Sequence, residues 1–137
     1  MKLITRNTDY AMRALCHIAR SGRESVSVTE MVAALKIPRP FLRKIVQRLS
    51  HQGVLRSVKG QGGGFSLARR PEQVRMTDLI RVFQGRLRLN TCIFKKKICP
   101  NRGTCLLKRE IDQIERDALR RLGKIHIAFL TGKGQRS

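Results

Sequence analysis

The sequence predicts a mainly α-helical fold with one small β-hairpin and a long C-terminal helix. Three observations predict it. Apolar residues recur at three- and four-residue intervals in the first fifty residues, two short apolar segments flank the glycine-rich stretch "KGQGGG", and helical periodicity returns after residue 106. The 137 residues, 41% of them hydrophobic, suffice for one small domain with an added helix.

Three helices are predicted before the glycine-rich stretch. The first covers residues 8–20, and Ser21-Gly22 ends it. The second runs to residue 35 and opens with Ser27 and Glu30, whose spacing is that of a capping box. The third lies in "PFLRKIVQRLSHQG" and ends at its last glycine. Its apolar side chains, which we expect to face inward, are Phe41, Leu42, Ile45, Val46 and Leu49.

A hairpin directly follows the third helix. "VLRSV" and "FSLA" are predicted strands, and "KGQGGG" is the turn between them. A nucleotide phosphate loop fits poorly, because no GK[ST] follows the glycines. Two short helices, a tight turn and a hairpin predict a winged helix-turn-helix. The hairpin is its wing, and the alternative is an ordinary hairpin without a ligand. The candidate DNA-binding residues are Arg39, Arg43, Lys44 and Gln47 of the third helix and Arg56, Lys59, Gly62 and Gly63 of the wing.

The charge distribution predicts a polyanionic partner. The chain carries 30 Lys and Arg against 9 Asp and Glu, a net charge of +21, and residues 31–71 contain no acid. Nucleic acid is the first candidate partner and an anionic membrane surface the second. Aromatic residues are only 4% of the chain, which argues against base stacking on single strands. Without a long apolar segment we expect a cytoplasmic protein that does not enter membranes.

The segments "GVLRSVKGQGGGFSLARRPEQVRMTDLIRVFQG" and "TDYAMRAL" resemble the bacterial regulators that include IscR and NsrR. The likeness extends to about residue 130. It implies a homodimeric transcription factor, usually a repressor, that binds palindromic double-stranded DNA operators. In many members an iron–sulfur cluster controls DNA binding.

Three cysteines are the candidate cluster ligands. Cys92, Cys99 and Cys105 are separated by six and then five residues, and a proline and a glycine among them predict a loop. The C-x-x-C pair typical of zinc sites is missing, whereas three thiolates with a distant fourth ligand suit an iron–sulfur cluster. We favour a 4Fe–4S cluster over a 2Fe–2S cluster.

The fourth ligand is assigned through the resemblance. NsrR-like members use an aspartate at the start of the first helix, donated by the partner subunit, and Asp9 stands at the matching place. The alternative is that Asp9 is an acid that favours the helix dipole. Cys16, beside Leu15 on the apolar side of the first helix, is predicted to be a buried small residue.

The C-terminal segment predicts a dimerisation helix, with a helix packed on its own domain as the alternative. Its apolar face consists of Leu107, Ile111, Ile114, Ala118, Leu122 and Ile125. The predicted organisation is a DNA-binding domain (1–85), a cluster-binding loop (86–105), the dimerisation helix (106–130) and a disordered tail (131–137).

No catalytic site is predicted, because the three histidines are far apart and no triad pattern accompanies them. The sequence therefore predicts a transcriptional regulator, with an iron–sulfur cluster as the sensor of nitric oxide, redox state or cluster supply. Two alternatives stay open. One is a regulator that uses a cluster-free thiol switch, and the other is a basic RNA-binding or structural protein with zinc or no metal.

Overall fold

The computed structural model describes residues 3–60, 63–87 and 106–132. The helices of this part of the chain are α1 (Arg6–Ser21), α2 (Val28–Leu35), α3 (Arg39–His51), α4 (Met76–Phe83), α5 (Leu106–Leu122) and α6 (Ile127–Leu130). Strands β1 (Leu55–Val58) and β2 (Gly64–Leu67) pair antiparallel and form the wing. The predicted winged helix-turn-helix is confirmed. We call α1–α4, the wing and α6 together the head.

Helix α1 is the central element of the head. Its buried side chains recur at helical spacing, and α2, α3, α4, α6 and β2 all contact it. Gly22 ends the helix in the left-handed conformation, with φ of 66°, so the predicted stop is confirmed. The buried residues of α1 are Thr8, Ala11, Ala14, Leu15, Cys16 and Ile18.

Helices α2 and α3 form the helix-turn-helix. The Ser27 side chain accepts a hydrogen bond from the Glu30 backbone N–H at 3.1 Å, which confirms the predicted N-cap, while the Glu30 carboxylate pairs with Arg23. The turn between the helices passes through Lys36 in the left-handed conformation, with φ of 56°. The buried stripe of α3 comprises Leu42, Ile45, Val46 and Leu49.

The prediction that Phe41 faces inward is wrong. Its side chain is 50% exposed. The residue stands about 100° around the helix from Leu42 and therefore at the edge of the buried stripe. It also lies in the first turn of α3, next to Arg39 and Pro40, which are exposed as well.

The wing is attached to the head by a close backbone contact. Val26 and Phe65 exchange two N–H···O hydrogen bonds, each 2.9 Å long. A Cβ atom on Gly64 would lie 2.3 Å from the Val26 carbonyl oxygen, and one on Gly63 would lie 2.4 Å from the Val58 carbonyl oxygen. The second and third glycines of "GGG" therefore let backbone segments approach closely.

The C-terminal helix ends earlier than the apolar pattern predicts. Helix α5 ends at Leu122, although the predicted apolar face extends to Ile125. After Gly123 the chain returns to the head, where the Met76 N–H donates to the Ile125 carbonyl and the Ile127 N–H to the Val74 carbonyl, both at 2.9 Å. Ile127 and Ala128 are buried there. The predicted domain boundaries stay a prediction, and residues 133–137 of the predicted tail lie outside the described residues.

A polar cluster joins the start of α1 to the end of α4. Thr8 is fully buried, and its hydroxyl donates to Gln84 Oε1 at 2.7 Å. The Thr5 N–H donates to the same oxygen at 3.1 Å, and Gln84 Nε2 donates to the Leu3 carbonyl at 3.1 Å. The Gln84 amide thus provides hydrogen-bond partners both for backbone groups of the N-terminal segment and for the buried Thr8 hydroxyl.

We expect Gly64→Ala to lower the free energy of unfolding by about 1–3 kcal/mol, because the added methyl group collides with the Val26 backbone, which no rotamer change relieves. The measurement is urea denaturation at one protein concentration. The control is Ser57→Ala on the paired strand, where the side chain is exposed and a change within about 0.5 kcal/mol is expected. Equal stability of the two variants would contradict the close approach.

Candidate nucleic-acid interface

The exposed side of α3 carries the residues predicted to contact nucleic acid. Arg43, Lys44 and Gln47 are exposed. Arg39 Nη2 donates to the Thr29 hydroxyl at 3.2 Å, so its guanidinium is oriented by the first turn of α2. The structure brings all four predicted residues together on one helix, whose other side is the buried stripe.

The wing places further cations beyond the end of α3. Arg56 and Lys59 are exposed, and Gly60 turns the chain with φ of 102°. The Gly63 N–H donates to the Gly60 carbonyl at 3.0 Å. This amide is therefore used within the turn, and the predicted DNA contact of Gly63 stays a prediction. Gly62 lies outside the described residues.

Two arginines fasten the basic elements to their surroundings. Arg48 Nε donates to the Val82 carbonyl at 3.1 Å and so connects α3 with α4. Arg69 Nη2 donates to the Gln52 carbonyl at 3.4 Å and connects the chain after β2 with the end of α3. Sequence reasoning missed these contacts, because a basic side chain gives no signal of a carbonyl partner far along the chain.

The electrostatics of this face are one-sided. No carboxylate occurs from residue 31 to residue 71, the range that contains all of α3 and the wing. The preceding acid, Glu30, forms an ion pair with Arg23. The hydrogen bond from Arg23 to the Glu30 carboxylate raises the pKa of the Arg23 guanidinium. A segment whose charges are all basic attracts a polyanion, and the polyanion releases counterions when it binds.

The predicted cluster ligands are only partly within the described residues. Asp9 lies in the first turn of α1, where its carboxylate is 35% exposed and pairs with Arg13 Nε at 3.0 Å. Cys92, Cys99 and Cys105 lie outside the described residues. Within residues 3–60, 63–87 and 106–132, no three His, Cys, Asp or Glu side chains come together as a metal site.

Cys16 is buried, as predicted. Its thiol lies 3.9 Å from the Met12 sulfur, and burial raises the pKa of the Cys16 thiol, against a smaller opposite effect of Arg20. A thiol with a raised pKa is a poor ligand and a poor nucleophile. The side chain therefore serves packing.

Helix α5 divides its predicted apolar face between solvent and the head: Leu122 and Ile125, at and just after its end, pack against the core, whereas side chains nearer its start are exposed. Leu107 is 68% exposed and Ile114 is 54% exposed, two helical turns apart on one side. Lys108 and Asp112 form an ion pair of 2.9 Å elsewhere on the helix, and the hydrogen bond from Lys108 lowers the pKa of Asp112. None of the helices in the described part of the chain is long and apolar enough to cross a membrane.

Comparison with known proteins places this architecture among transcriptional regulators. The model of the Rrf2 family, described as iron-dependent transcriptional regulators, matches residues 4–133. An Aquifex aeolicus protein named as an HTH-type transcriptional regulator is 40% identical over 66% of this chain. The matched region covers 62% of that protein's length. The HTH-type transcriptional repressor NsrR of Streptomyces coelicolor is 32% identical over 79% of this chain and 74% of its own.

A solved structure gives the same fold. CymR, the global cysteine regulator of B. subtilis, superimposes with a TM-score of 0.81 at 20% identity, over 96% of this chain and 98% of its own. At that level of identity the likeness concerns the fold. The regulator class predicted from the sequence rests on the family match.

We expect Arg43→Ala and Lys59→Ala to weaken binding to double-stranded DNA in different ways. Arg43 is exposed in the first turns of α3, and we predict that it reaches a base edge, so its loss should cost roughly 1–3 kcal/mol and relax the preference at one base position. Lys59, in the wing, should contact phosphate, so its loss should weaken all sequences alike and reduce the salt slope by about one.

The measurement is equilibrium binding to specific and random duplexes at several salt concentrations. The comparison variant is Arg116→Ala, which removes one exposed cation from α5, outside α3 and the wing, and should change neither the base preference nor the salt slope. A uniform loss for Arg43→Ala would make that residue a phosphate contact, and an unchanged salt slope would remove Lys59 from the interface.

Proposed function

Because this chain belongs to the Rrf2 family of transcriptional regulators, we propose that it is a homodimeric repressor whose operator affinity is controlled by an iron–sulfur cluster. Its relatives are named as transcriptional regulators, so its role is regulatory and not enzymatic. The observation that carries the proposal is the helix-turn-helix with its wing, in which Arg43, Lys44 and Lys59 are exposed within a stretch, residues 31–71, that contains no acid.

The proposed docking follows from the shape of this surface. Helix α3 enters the major groove with its first turns toward the bases, as recognition helices do. The wing lies beside it and brings Arg56 and Lys59 to the phosphates. Hydrogen bonds from Arg48 and Arg69 hold the end of α3 against its neighbours, so helix and wing meet the duplex as one preformed surface.

The apolar face of α5 supports the homodimer. Leu107 and Ile114 are more than half exposed in one chain, and a second copy of the helix would cover them. A dimer with twofold symmetry presents two copies of α3 to a palindrome, so that each head binds one half-site.

The cluster ligands we propose are Cys92, Cys99 and Cys105 of one subunit and Asp9 of the partner subunit. When bound, an iron–sulfur cluster would serve as the sensor, because nitric oxide and oxidants can destroy it. A limited cluster supply would lower its occupancy. The donor set fits, because Asp9 is partly exposed and its pair with Arg13 is a surface ion pair that exchanges at little cost. The iron-dependent description of the family supports an iron-containing group, but it names no ligand.

The position of Asp9 explains how ligand loss would reach the DNA surface. Asp9 follows Thr8, whose hydroxyl is bonded to Gln84 at the end of α4, shortly before the cysteine segment. Helix α1 also contacts α3. A ligand held by Asp9 therefore acts on the head, which carries α3. We expect loss of the ligand to change operator affinity by about 1–3 kcal/mol.

A cluster-free thiol switch is the second candidate. A solved structure of the same fold, the oxidized form of Staphylococcus aureus CymR, favours it. In that case Cys92, Cys99 and Cys105 would act as thiols, whereas the buried Cys16 would not. Family membership favours both candidates over an RNA-binding or structural protein that holds zinc or no metal.

We expect Leu107→Glu combined with Ile114→Glu to produce monomers that no longer bind a palindrome tightly, because like charges would meet across the twofold axis. Both side chains are exposed in the single chain, so the variant should still fold. The measurement is sedimentation together with operator binding, and the control is Arg116→Glu on an exposed position of the same helix. A wild-type monomer would contradict the dimer.

We expect the protein purified without oxygen to be brown and to contain iron and acid-labile sulfide. Alanine at Cys92, Cys99 or Cys105 should abolish the visible absorbance, while Cys16→Ala should leave it intact. Asp9→Ala should retain a cluster that is lost faster in air. A colourless wild-type protein whose DNA binding responds to thiol oxidation would instead support the thiol switch.

A further inference from the structure

The exposure of Phe41 needs an explanation beyond the fold. Phenylalanine is among the residue types most often buried, yet here half of the side chain meets solvent on the first turn of α3. It does not belong to the apolar face of α5. It stands in the part of the chain that carries only basic charges, from residue 31 to residue 71.

The surroundings of Phe41 indicate what covers it. Arg39, Arg43 and Lys44, all exposed, lie within three residues of it on the same helix. Any macromolecule that covers this ring must therefore also accept several cations, which favours a polyanion that offers an apolar group among its charges. Duplex DNA does so in the major groove, where the thymine C5-methyl group is the apolar feature of the base edges.

The backbone of this turn is stiff, which favours a specific contact. Pro38 is the N-cap of α3, with φ of −55°, and Pro40 stands in its first turn. Two fixed φ angles limit how far the turn can adjust. The buried Leu42 anchors the neighbouring position in the core. Phe41 is therefore held at a set place relative to Arg43.

We propose that Phe41 contacts the C5-methyl group of a thymine in each half-site and so specifies that base pair. The proposal rests on the proposed function, since it assigns one determinant of sequence preference to the same surface. An aromatic side chain packed on a methyl group reads a base without a hydrogen bond, which makes Phe41 a second kind of base contact beside Arg43.

The test replaces thymine by deoxyuridine, which removes the methyl group and keeps the base pair. Full-length protein, purified without oxygen, first selects its operator from random duplexes. Each thymine of that operator is then replaced in turn, in both half-sites. For the wild type we expect one position where binding weakens about fourfold per half-site, the effect of one buried methyl group.

The variants decide whether Phe41 is responsible. Phe41→Ala should bind the thymine and deoxyuridine operators equally at that position, and Phe41→Leu should keep part of the difference. The matched control is Phe129→Ala, an exposed phenylalanine on α6, which should keep the whole difference. Circular dichroism and sedimentation verify that each variant folds and dimerises. If the alanine variant does not fold or dimerise, the leucine variant serves as the test of the methyl contact.

Two results would overturn the proposal. One is a wild type that is insensitive to deoxyuridine at every position, and the other is a Phe41 variant that keeps the full difference. A variant that falls apart into monomers while the leucine variant shows no methyl effect would identify Phe41 as a subunit contact. If the wild type selects no operator at all, it is the proposed function that fails.

Discussion

The buried face of α1 is the constraint on which the rest of the structure depends. Helices α2, α3, α4 and α6 and strand β2 all pack on it. Ala11 and Ala14 are fully buried, and their small side chains allow neighbouring elements to come close from several directions. Because α1 contacts α3 on this face and carries the partly exposed Asp9 in its first turn, one helix connects the proposed ligand with the proposed DNA surface.

The basic face has to be held together against its own charge. A net charge of +21 with no acid from residue 31 to residue 71 means that α3 and the wing repel each other in the absence of a polyanion. Buried apolar side chains of α3 resist this repulsion, together with hydrogen bonds to neutral groups. Backbone bonds between Val26 and Phe65 attach the wing to the head, Arg69 bonds to a carbonyl at the end of α3, and Arg48 bonds α3 to α4. Such neutral acceptors leave the positive field intact, which a carboxylate would reduce.

The sequence predicted those structural features that depend on residues close together along the chain. The cap between Ser27 and Glu30, the stop at Gly22 and the hairpin all follow from local chemistry. Phe41 was misplaced because periodicity does not show where a buried stripe has its edge. The bonds between distant residues were not foreseen, since residue type does not select one carbonyl or amide among many. The cluster site rests on a resemblance for Asp9 and on spacing for the cysteines, so it stays a prediction.

The return of the chain through α6 bears on how the protein is made. Ile127 is fully buried in the head, and its N–H is bonded to the Val74 carbonyl. A chain emerging from the ribosome can therefore form α1–α4 and the wing early, but it closes their core only after residue 127 has been synthesised. By then all three cysteines at positions 92, 99 and 105 have already been translated. The cysteine segment is therefore already present in the nascent chain before the core of the head can close.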